Sequence, residues 1–291
     1  MQSDSLQQTL QSVFGFDSLR SGQQPVIEAV MNGHSAAAIF PTGSGKSLCY
    51  QLPATQLPHL TLVISPLLAL MKDQLSFLQS RGIAAASIDS SQSREEAQQV
   101  MAGVKNGHIK ILMISVERLK NERFREFIRQ IPLSLMVVDE AHCISEWGHN
   151  FRPDYLKLPQ YQRELNIPQT LLLTATATPA VIEDMQSKFN IADENITVTG
   201  FYRSNLEISV VPCEEENKQT QLNDIIAAAP KLPSIVYVTQ QQTAEQVASS
   251  LIRLGINAHA YHAGMKSDIR EKIQQQFMDS QIDCIVATIA F

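Results

Sequence analysis

Between Thr42 and Ser47 the chain reads Thr-Gly-Ser-Gly-Lys-Ser, a set of side chains and backbone freedoms suited to holding a polyphosphate. Gly43 and Gly45 open torsions that a Cβ forbids, so successive N–H groups can turn inward onto an anion at a helix start. Thr42 and Ser44 line the same loop, Lys46 supplies a mobile positive charge, and Ser47 offers a hydroxyl to a magnesium ion bridging the outer phosphates. The expected ligand is therefore a nucleoside triphosphate. The general phosphate-loop pattern has an earlier glycine where this chain has Phe40, and a Gly/Ser turn before a helix with a solvated lysine is the competing account. Further along, Asp139 and Glu140 close the apolar run Leu135 to Val138. Asp139 is placed to hold magnesium through water, and Glu140 to orient and deprotonate an attacking water. An acidic pair can also merely end a strand and cap a helix, but a phosphate loop upstream in a βα pattern favours nucleotide hydrolysis.

Upstream of the loop, FGFDSLRSGQ (Phe14 to Gln23) brings together an aromatic, a guanidinium and an amide. Phe16 and Arg20 could sandwich a purine while Gln23 pairs with the adenine edge, a donor–acceptor match that guanine lacks. A helix cap with a core aromatic explains the same residues. No Asn-Lys-x-Asp guanine-reading motif is present in the sequence.

These groups need elements to position them. The apolar run from Ala36 predicts a strand, and after Ser47 apolar strands alternate with amphipathic helices: TLVIS, AAASI, IKILMIS, LSLMVVDE and QTLLLT, each but the fourth followed directly by a helical pattern. Before the loop, Leu6, Leu10, Val13 and Phe14 have helical spacing that breaks at Gly15, and a second helix follows Gly22. Such alternation with continuous apolar strands means a parallel sheet covered on both faces, with ligands at the carboxyl ends of its strands. Ser65-Pro66, Ser115, Asp139-Glu140 and Thr174-Ala175-Thr176 all fall at such ends.

The composition is that of an ordinary globular protein: 291 residues, 44% apolar and 18% charged, which excludes disordered and fibrous classes. The polar start MQSDSLQQTL lacks a signal pattern and no apolar run reaches membrane-spanning length, so a cytoplasmic protein without a membrane partner is expected. Four cysteines, Cys49, Cys143, Cys213 and Cys284, show no C-x-x-C spacing, so free thiols are expected and zinc is not. A formal charge of −6 disfavours coating nucleic acid through bulk electrostatics yet permits a local groove.

The phosphate loop, Asp-Glu-Ala-His and Thr-Ala-Thr resemble motifs I, II and III of superfamily 2 helicases, and CISEWGHNFRPDY (Cys143 to Tyr155) resembles the aromatic-rich loop that follows the DEAH box in RecQ-type DNA helicases. FGFDSLRSGQ resembles that family's adenine-binding motif 0, SLCYQLPA its motif I continuation, VISPLLALMKDQL motif Ia, SVERL the next motif, and AYHAGM a motif of its second motor domain. The likeness runs from about Phe14 to Phe291 with the motifs in family order. It implies an α/β fold of two RecA-like lobes with parallel sheets, the second incomplete, and ATP-dependent 3′ to 5′ unwinding of DNA in repair or recombination.

Carried over residue by residue, the resemblance assigns adenine to Phe16, Arg20 and Gln23; the phosphates and Mg2+ to Lys46, Ser47 and Asp139; and the attacking water to Glu140. His142 would link the hydrolytic site to the neighbouring motif, and Ser65, Pro66, Trp147, Phe151 and Arg152 would meet DNA, single-stranded or at duplex junctions. An indole stacks on any base for ~1 to 3 kcal/mol without sequence preference, as a translocating enzyme requires. A buried core tryptophan is the alternative for Trp147, and Glu146, His149, Asn150 and Arg152 beside it make a poor core segment. A monomer is expected, nucleoid-associated in a bacterial-type cytoplasm.

The sequence departs from the family pattern at Asn150, commonly aspartate, and at Thr239-Gln240-Gln241, commonly Ser-Arg, so phosphate contact there falls to neutral donors. QIDCIVATIAF resembles the start of motif V, and no counterpart of the later motif VI arginine finger follows. The expected domains are residues 1–206 and 207–291, with a hinge at residues 201–206. Two rival readings follow: an RNA-remodelling DEAH-type ATPase, and an ATP-gated DNA-binding protein that does not unwind.

Overall fold

A computed structural model of the chain describes residues 2–89, 92–147, 152–200, 205–228 and 233–288. Strands β1 (Ala36–Ile39), β2 (Leu60–Ile64), β3 (Ala85–Ile88), β4 (Ile111–Ile114), β5 (Leu133–Val138), β6 (Thr170–Thr174) and β7 (Ile196–Val198) form one seven-stranded sheet. Their order is β3-β4-β2-β5-β6-β1-β7 and every pairing is parallel.

Alternation along each strand builds two cores. In β1, Ala37 and Ile39 join one cluster while Ala36, Ala38 and the following Phe40 join the other; in β2, Leu62 and Ile64 oppose Val63. Helices α2 (Gln23–Met31), α3 (Leu48–Gln56) and α4 (Leu68–Ser80), with α1 (Gln2–Thr9) ahead of them, lie on one face, where Leu10, Phe14, Ile27, Leu52 and Leu78 are buried. The other face carries α5 (Arg94–Lys105), α6 (Glu122–Arg129), α7 (Leu158–Glu164) and α8 (Pro179–Phe189), with Val104, Phe124, Leu158, Val181 and Phe189 buried there. Both faces being covered explains why six strands read as near-continuous apolar runs. β7, at the sheet edge and partly exposed, is the strand that no sequence pattern announced.

The chain passes from β1 to β2 across the places later filled by β5 and β6. The carboxyl ends of β2, β5, β6 and β1 are therefore neighbours, and the residues that leave them meet at one end of the sheet. Backbone bonds extend this region beyond the strands, from Asp139 N to Ile64 O at 2.8 Å and from Phe40 N to Thr174 O at 3.1 Å.

The chain divides into two compact units, Met1–Arg203 and Ser204–Phe291. Four of the six residues expected as a hinge, 201–204, lie outside the described residues. In the second unit β8 (Ser234–Tyr237), β9 (Ala258–Tyr261) and β10 (Cys284–Ala287) form a parallel sheet in the order β8-β10-β9. α9 (Lys218–Ala228) and α10 (Gln241–Arg253) supply one core with Leu222, Val247 and Leu251; on the other face α11 (Ser267–Met278) packs Ile273 and Phe277 against Tyr261 and Ile285. No helix among the described residues is long and apolar enough to cross a membrane.

Candidate active site

The phosphate loop joins β1 to α3. Gly43 and Gly45 take φ values of 81° and 84°, the left-handed region in which a side chain is strained. A Cβ on Gly45 would also lie 2.7 Å from Gln23 Nε2, so neither glycine is replaceable by alanine without distortion. Phe40, standing where the general motif has glycine, is fully buried and continues the alternation of β1 into the core beneath α2. Its ring therefore lies in the core, beside Gly22, and not in the loop. Ser47 has helical torsions and its hydroxyl makes no capping bond. Lys46 Nζ donates to Phe40 O at 3.1 Å, holding the ammonium across the loop.

Motif 0 meets this loop in a way the sequence did not indicate. Gln23 is only 1% exposed; its Oε1 accepts the Arg20 N–H at 2.7 Å and its Nε2 donates to Gly45 O at 2.9 Å. Arg20 Nη1 donates to Gly43 O at 2.7 Å. Both side chains thus brace the phosphate loop, and an adenine contact by Gln23 requires these bonds to exchange. The guanidinium beside the Phe16 ring is that of Arg81, 5.9 Å from its centroid and 4.5 Å from that of Phe77. Arg20 is bonded to the loop carbonyl of Gly43. A cavity of about 310 Å³ opens between Phe16, Phe77, Leu48 and Gln51, with Asp73 and Gln74 on its wall and Gly45 and Ser47 at its loop side. Asp73, Gln74 and Phe77 share one face of α4, a spacing legible in KDQLSF (Lys72 to Phe77) but silent without knowledge of what α4 faces. Thr42 is exposed and Ser44 half-buried in the same loop. A larger cavity, about 500 Å³, lies between α5 and α6 near the opposite ends of the strands and holds no carboxylate.

Asp139 leaves β5 almost completely buried; its Oδ1 accepts the Glu140 N–H at 3.0 Å and its Oδ2 the Ser65 hydroxyl at 3.4 Å. Burial first, and then the charge of Glu140, push its carboxyl up to about 6, against the opposing pull of Lys46. Glu140 adopts φ 51° and ψ 46°, a left-handed conformation that costs a non-glycine residue ~1 to 3 kcal/mol and that turns the chain sharply out of the strand. The next residues, Ala141–Ile144, form a buried 3-10 turn.

In that turn His142 Nδ1 lies 2.9 Å from Thr174 Oγ1 and 3.3 Å from Glu140 Oε2. The Thr174 hydroxyl donates to Thr176 O at 3.0 Å, so it must accept from the histidine, which makes Nδ1 the protonated nitrogen. Burial works against the charged imidazole, but contacts with Cys143 and Glu140 outweigh it and raise its pKa to about 9. Glu140 thus has a cationic partner at neutral pH, and His142 ties it to the end of β6.

The residues expected at DNA separate. Ser65 is 2% exposed and turned toward Asp139, because its backbone continues the ladder with β4 and its side chain follows the sheet alternation inward. In this structure its hydroxyl is therefore turned to the Asp139 carboxylate. Pro66 is half-buried. Trp147 is 75% exposed, which excludes the core alternative. Arg152 is half-buried, with its N–H bonded to Cys143 O at 3.1 Å, and Phe151 lies outside the described residues.

A phosphate loop at the end of β1, with a buried aspartate and a strained glutamate at the end of β5, is an arrangement found where an α/β fold takes a nucleoside triphosphate. The pattern described as DEAD/DEAH box helicase matches residues 20–185, and that of the helicase conserved C-terminal domain matches residues 217–291. The ATP-dependent DNA helicase RecQ of Haemophilus influenzae is 41% identical over 97% of this chain and 45% of its own length. The probable ATP-dependent DNA helicase RecS of Bacillus subtilis is 40% identical over 98% of this chain and 58% of its own. Among solved structures, the Mycobacterium smegmatis helicase Lhr bound to ssDNA and AMP-PNP gives a TM-score of 0.66 at 20% identity, covering 94% of this chain and 40% of that one. Dbp5 of S. cerevisiae bound to RNA and ADP BeF3 gives 0.66 at 15% identity, over 98% and 75%. The chain belongs to the DEAD/DEAH box helicase family, and its sequence is of the RecQ type. It has the fold of two RecA-like helicase domains and spans about half the length of the curated relatives it matches.

Proposed function

We propose that this chain is the motor portion of an ATP-dependent DNA helicase that moves 3′ to 5′ on single-stranded DNA and separates duplexes in repair or recombination. One observation carries the DNA reading. Trp147 projects its indole into solvent a few residues beyond the buried turn that carries His142, so one short segment joins a base-stacking surface to the hydrolytic centre. ATP is bound by the phosphate loop, with the base in the Phe16–Phe77 cavity and the phosphates on Lys46 and the loop amides.

The Ser47 hydroxyl and the Asp139 carboxylate are hard oxygen donors, a set suited to Mg2+, which takes one or two such groups beside phosphate oxygens and water. The ion supplies neutralisation of the charge that builds on the phosphates. Glu140 accepts the proton of the attacking water, and His142, bonded to both Glu140 and Thr174, holds that carboxylate in place. The protein acts as a monomer in the cytoplasm, at the nucleoid.

The test is ATP turnover with no nucleic acid, with single-stranded DNA and with RNA, alongside titration of Trp147 emission by oligothymidylate. Saturable emission change, weakening with salt as counterions are released, and stimulation by DNA above RNA are expected. Stimulation by RNA alone would transfer the chain to the RNA-remodelling class. Nucleotide-dependent DNA binding without turnover would make it an ATP-gated binding protein.

A further inference from the structure

The segment that carries Trp147 leaves the hydrolytic turn at Ser145. Ser145 is fully buried and donates its hydroxyl to Asp184 Oδ2 at 2.6 Å, while the Trp147 N–H donates to that same Ser145 Oγ at 3.2 Å. Direction follows from chemistry, since an ionised carboxylate only accepts: the indole residue's amide gives to the serine, and the serine gives to the aspartate. Asp184 lies on α8, and its other oxygen, Oδ1, is 3.1 Å from Lys188 Nζ one helical turn on. The Ser145 hydrogen bond, with help from Lys188, holds the Asp184 carboxyl below the usual aspartate range. α8 is itself fixed at its start by Thr178, whose side chain accepts from Val181 N, shortly after the Thr174 that holds His142. Asp184 lies outside the proposed nucleotide site, yet it receives a side-chain hydroxyl to which the backbone of Trp147 is bonded.

We propose that Asp184 is a positioning residue for DNA sensing: through Ser145 it fixes the point from which Trp147 is presented to single-stranded DNA. α8 then anchors the DNA-facing segment at Ser145 and follows directly on the strand end that anchors His142, so both ends of the intervening turn are tied to one β6–α8 unit. This rests on the reading of Trp147 as a DNA contact. Hydrogen bonds to charged acceptors are about twice as strong as neutral ones, so removal of the carboxylate frees the serine rotor and with it the Trp147 amide.

Asp184→Ala and Asp184→Asn in the full chain test this, read by the emission of the single tryptophan. Asp184→Ala is expected to lower Trp147 anisotropy, increase its quenching by acrylamide and raise the half-saturating oligothymidylate concentration about tenfold. Asp184→Asn keeps an acceptor for Ser145 while losing the charge pair with Lys188, and is expected to stay within about threefold of the parent. Fluorescent-nucleotide affinity should be unchanged in both. If the parent's emission responds to oligothymidylate and Asp184→Ala behaves identically to it, the positioning role is overturned while the Trp147 reading stands. If the parent's emission ignores an oligonucleotide that a labelled-DNA assay shows bound, the Trp147 reading falls and the proposal with it. Should Asp184→Ala fail to fold, Ser145→Ala removes the same bond without stranding a charge; it must reproduce the loss, and a parent-like titration by this variant overturns the proposal.

Discussion

Asp139→Asn should make the protein more stable and less able to bind Mg-ATP. The ordinary aspartate value is 3.8, and burial with the neighbouring Glu140 charge raises Asp139 to about 6. A raised carboxyl contributes stability that is complete below pH 3.8 and is lost as the pH rises through 6, because the folded state must then hold an ion it disfavours. Roughly two pH units at about 1.4 kcal/mol each place the full effect near 3 kcal/mol, and relaxation around the charge brings the expected gain to about 1 to 3 kcal/mol at pH 7.5. Asparagine mimics the protonated acid in shape. Its carbonyl still accepts from Glu140 N and its amide faces the Ser65 hydroxyl, so both present contacts persist. For a unit of about this size the gain corresponds to roughly 2 to 12 °C in melting temperature. Melting followed by circular dichroism at pH 4.5 and pH 7.5 separates the charge effect from packing: the variant's advantage should be present at pH 7.5 and small at pH 4.5. Saturating Mg-ATP should stabilise the parent, by about 2.7 kcal/mol at a hundredfold excess over Kd, and lose its magnesium-dependent part in the variant. A variant less stable than the parent at pH 7.5, or an advantage equal at both pH values, would refute the reasoning.

Gln23→Ala removes bonds to Arg20 N and Gly45 O, so ATP and GTP affinities should fall together, by a factor corresponding to ~1 to 3 kcal/mol; loss for ATP alone, measured by calorimetry, would show that the amide reads adenine. Glu140→Gly relieves the left-handed strain and should raise stability by up to ~1 kcal/mol while abolishing hydrolysis; a lower melting temperature would mean that the His142 contact outweighs the strain. Trp147→Ala should leave ATP affinity intact and remove DNA stimulation of turnover, whereas a large fall in melting temperature would mark the indole as structural.

The parallel sheet was legible because strands buried on both faces must be continuous apolar runs, and LTLVI, ILMI and LSLMVV are such runs. β7 was not, since Ile-Thr-Val at a partly exposed edge has neither the length nor the burial to stand out. That Gly43, Gly45, Lys46, Asp139 and Glu140 meet at one end of the sheet was legible, because each follows an apolar run that had to be a parallel strand. Their partners were harder to read. Arg81 reaches Phe16 because the end of α4 brings it to the aromatic from far along the chain, and Gln23 bonds to the loop because Gly45 O lies within its reach. Ser65 was legible as the end of the TLVIS strand, but not its partner: its N–H bond to Ile114 O keeps it in the ladder and its side chain inside, against Asp139.

The same end of the sheet concentrates what the rest of the fold avoids. Asp139 is ionised at neutral pH against its burial, and Glu140 occupies a torsional region that costs a side chain energy. The hydrophobic cores on the two faces hold these two residues in place, since β5 between β2 and β6 is buried throughout and cannot shift to relieve either one. Cationic ligands relieve the first strain directly: a divalent ion beside Asp139 stabilises its charged form, so metal binding must release protons as the pH falls toward 6. Relief of the second would need Glu140 to rotate out of its turn, breaking its contact with His142 and moving the segment that leads to Ser145 and Trp147. The carboxylates at the end of β5 and the exposed indole are therefore joined by a turn with little freedom, in which a change at Glu140 cannot be absorbed locally without displacing His142.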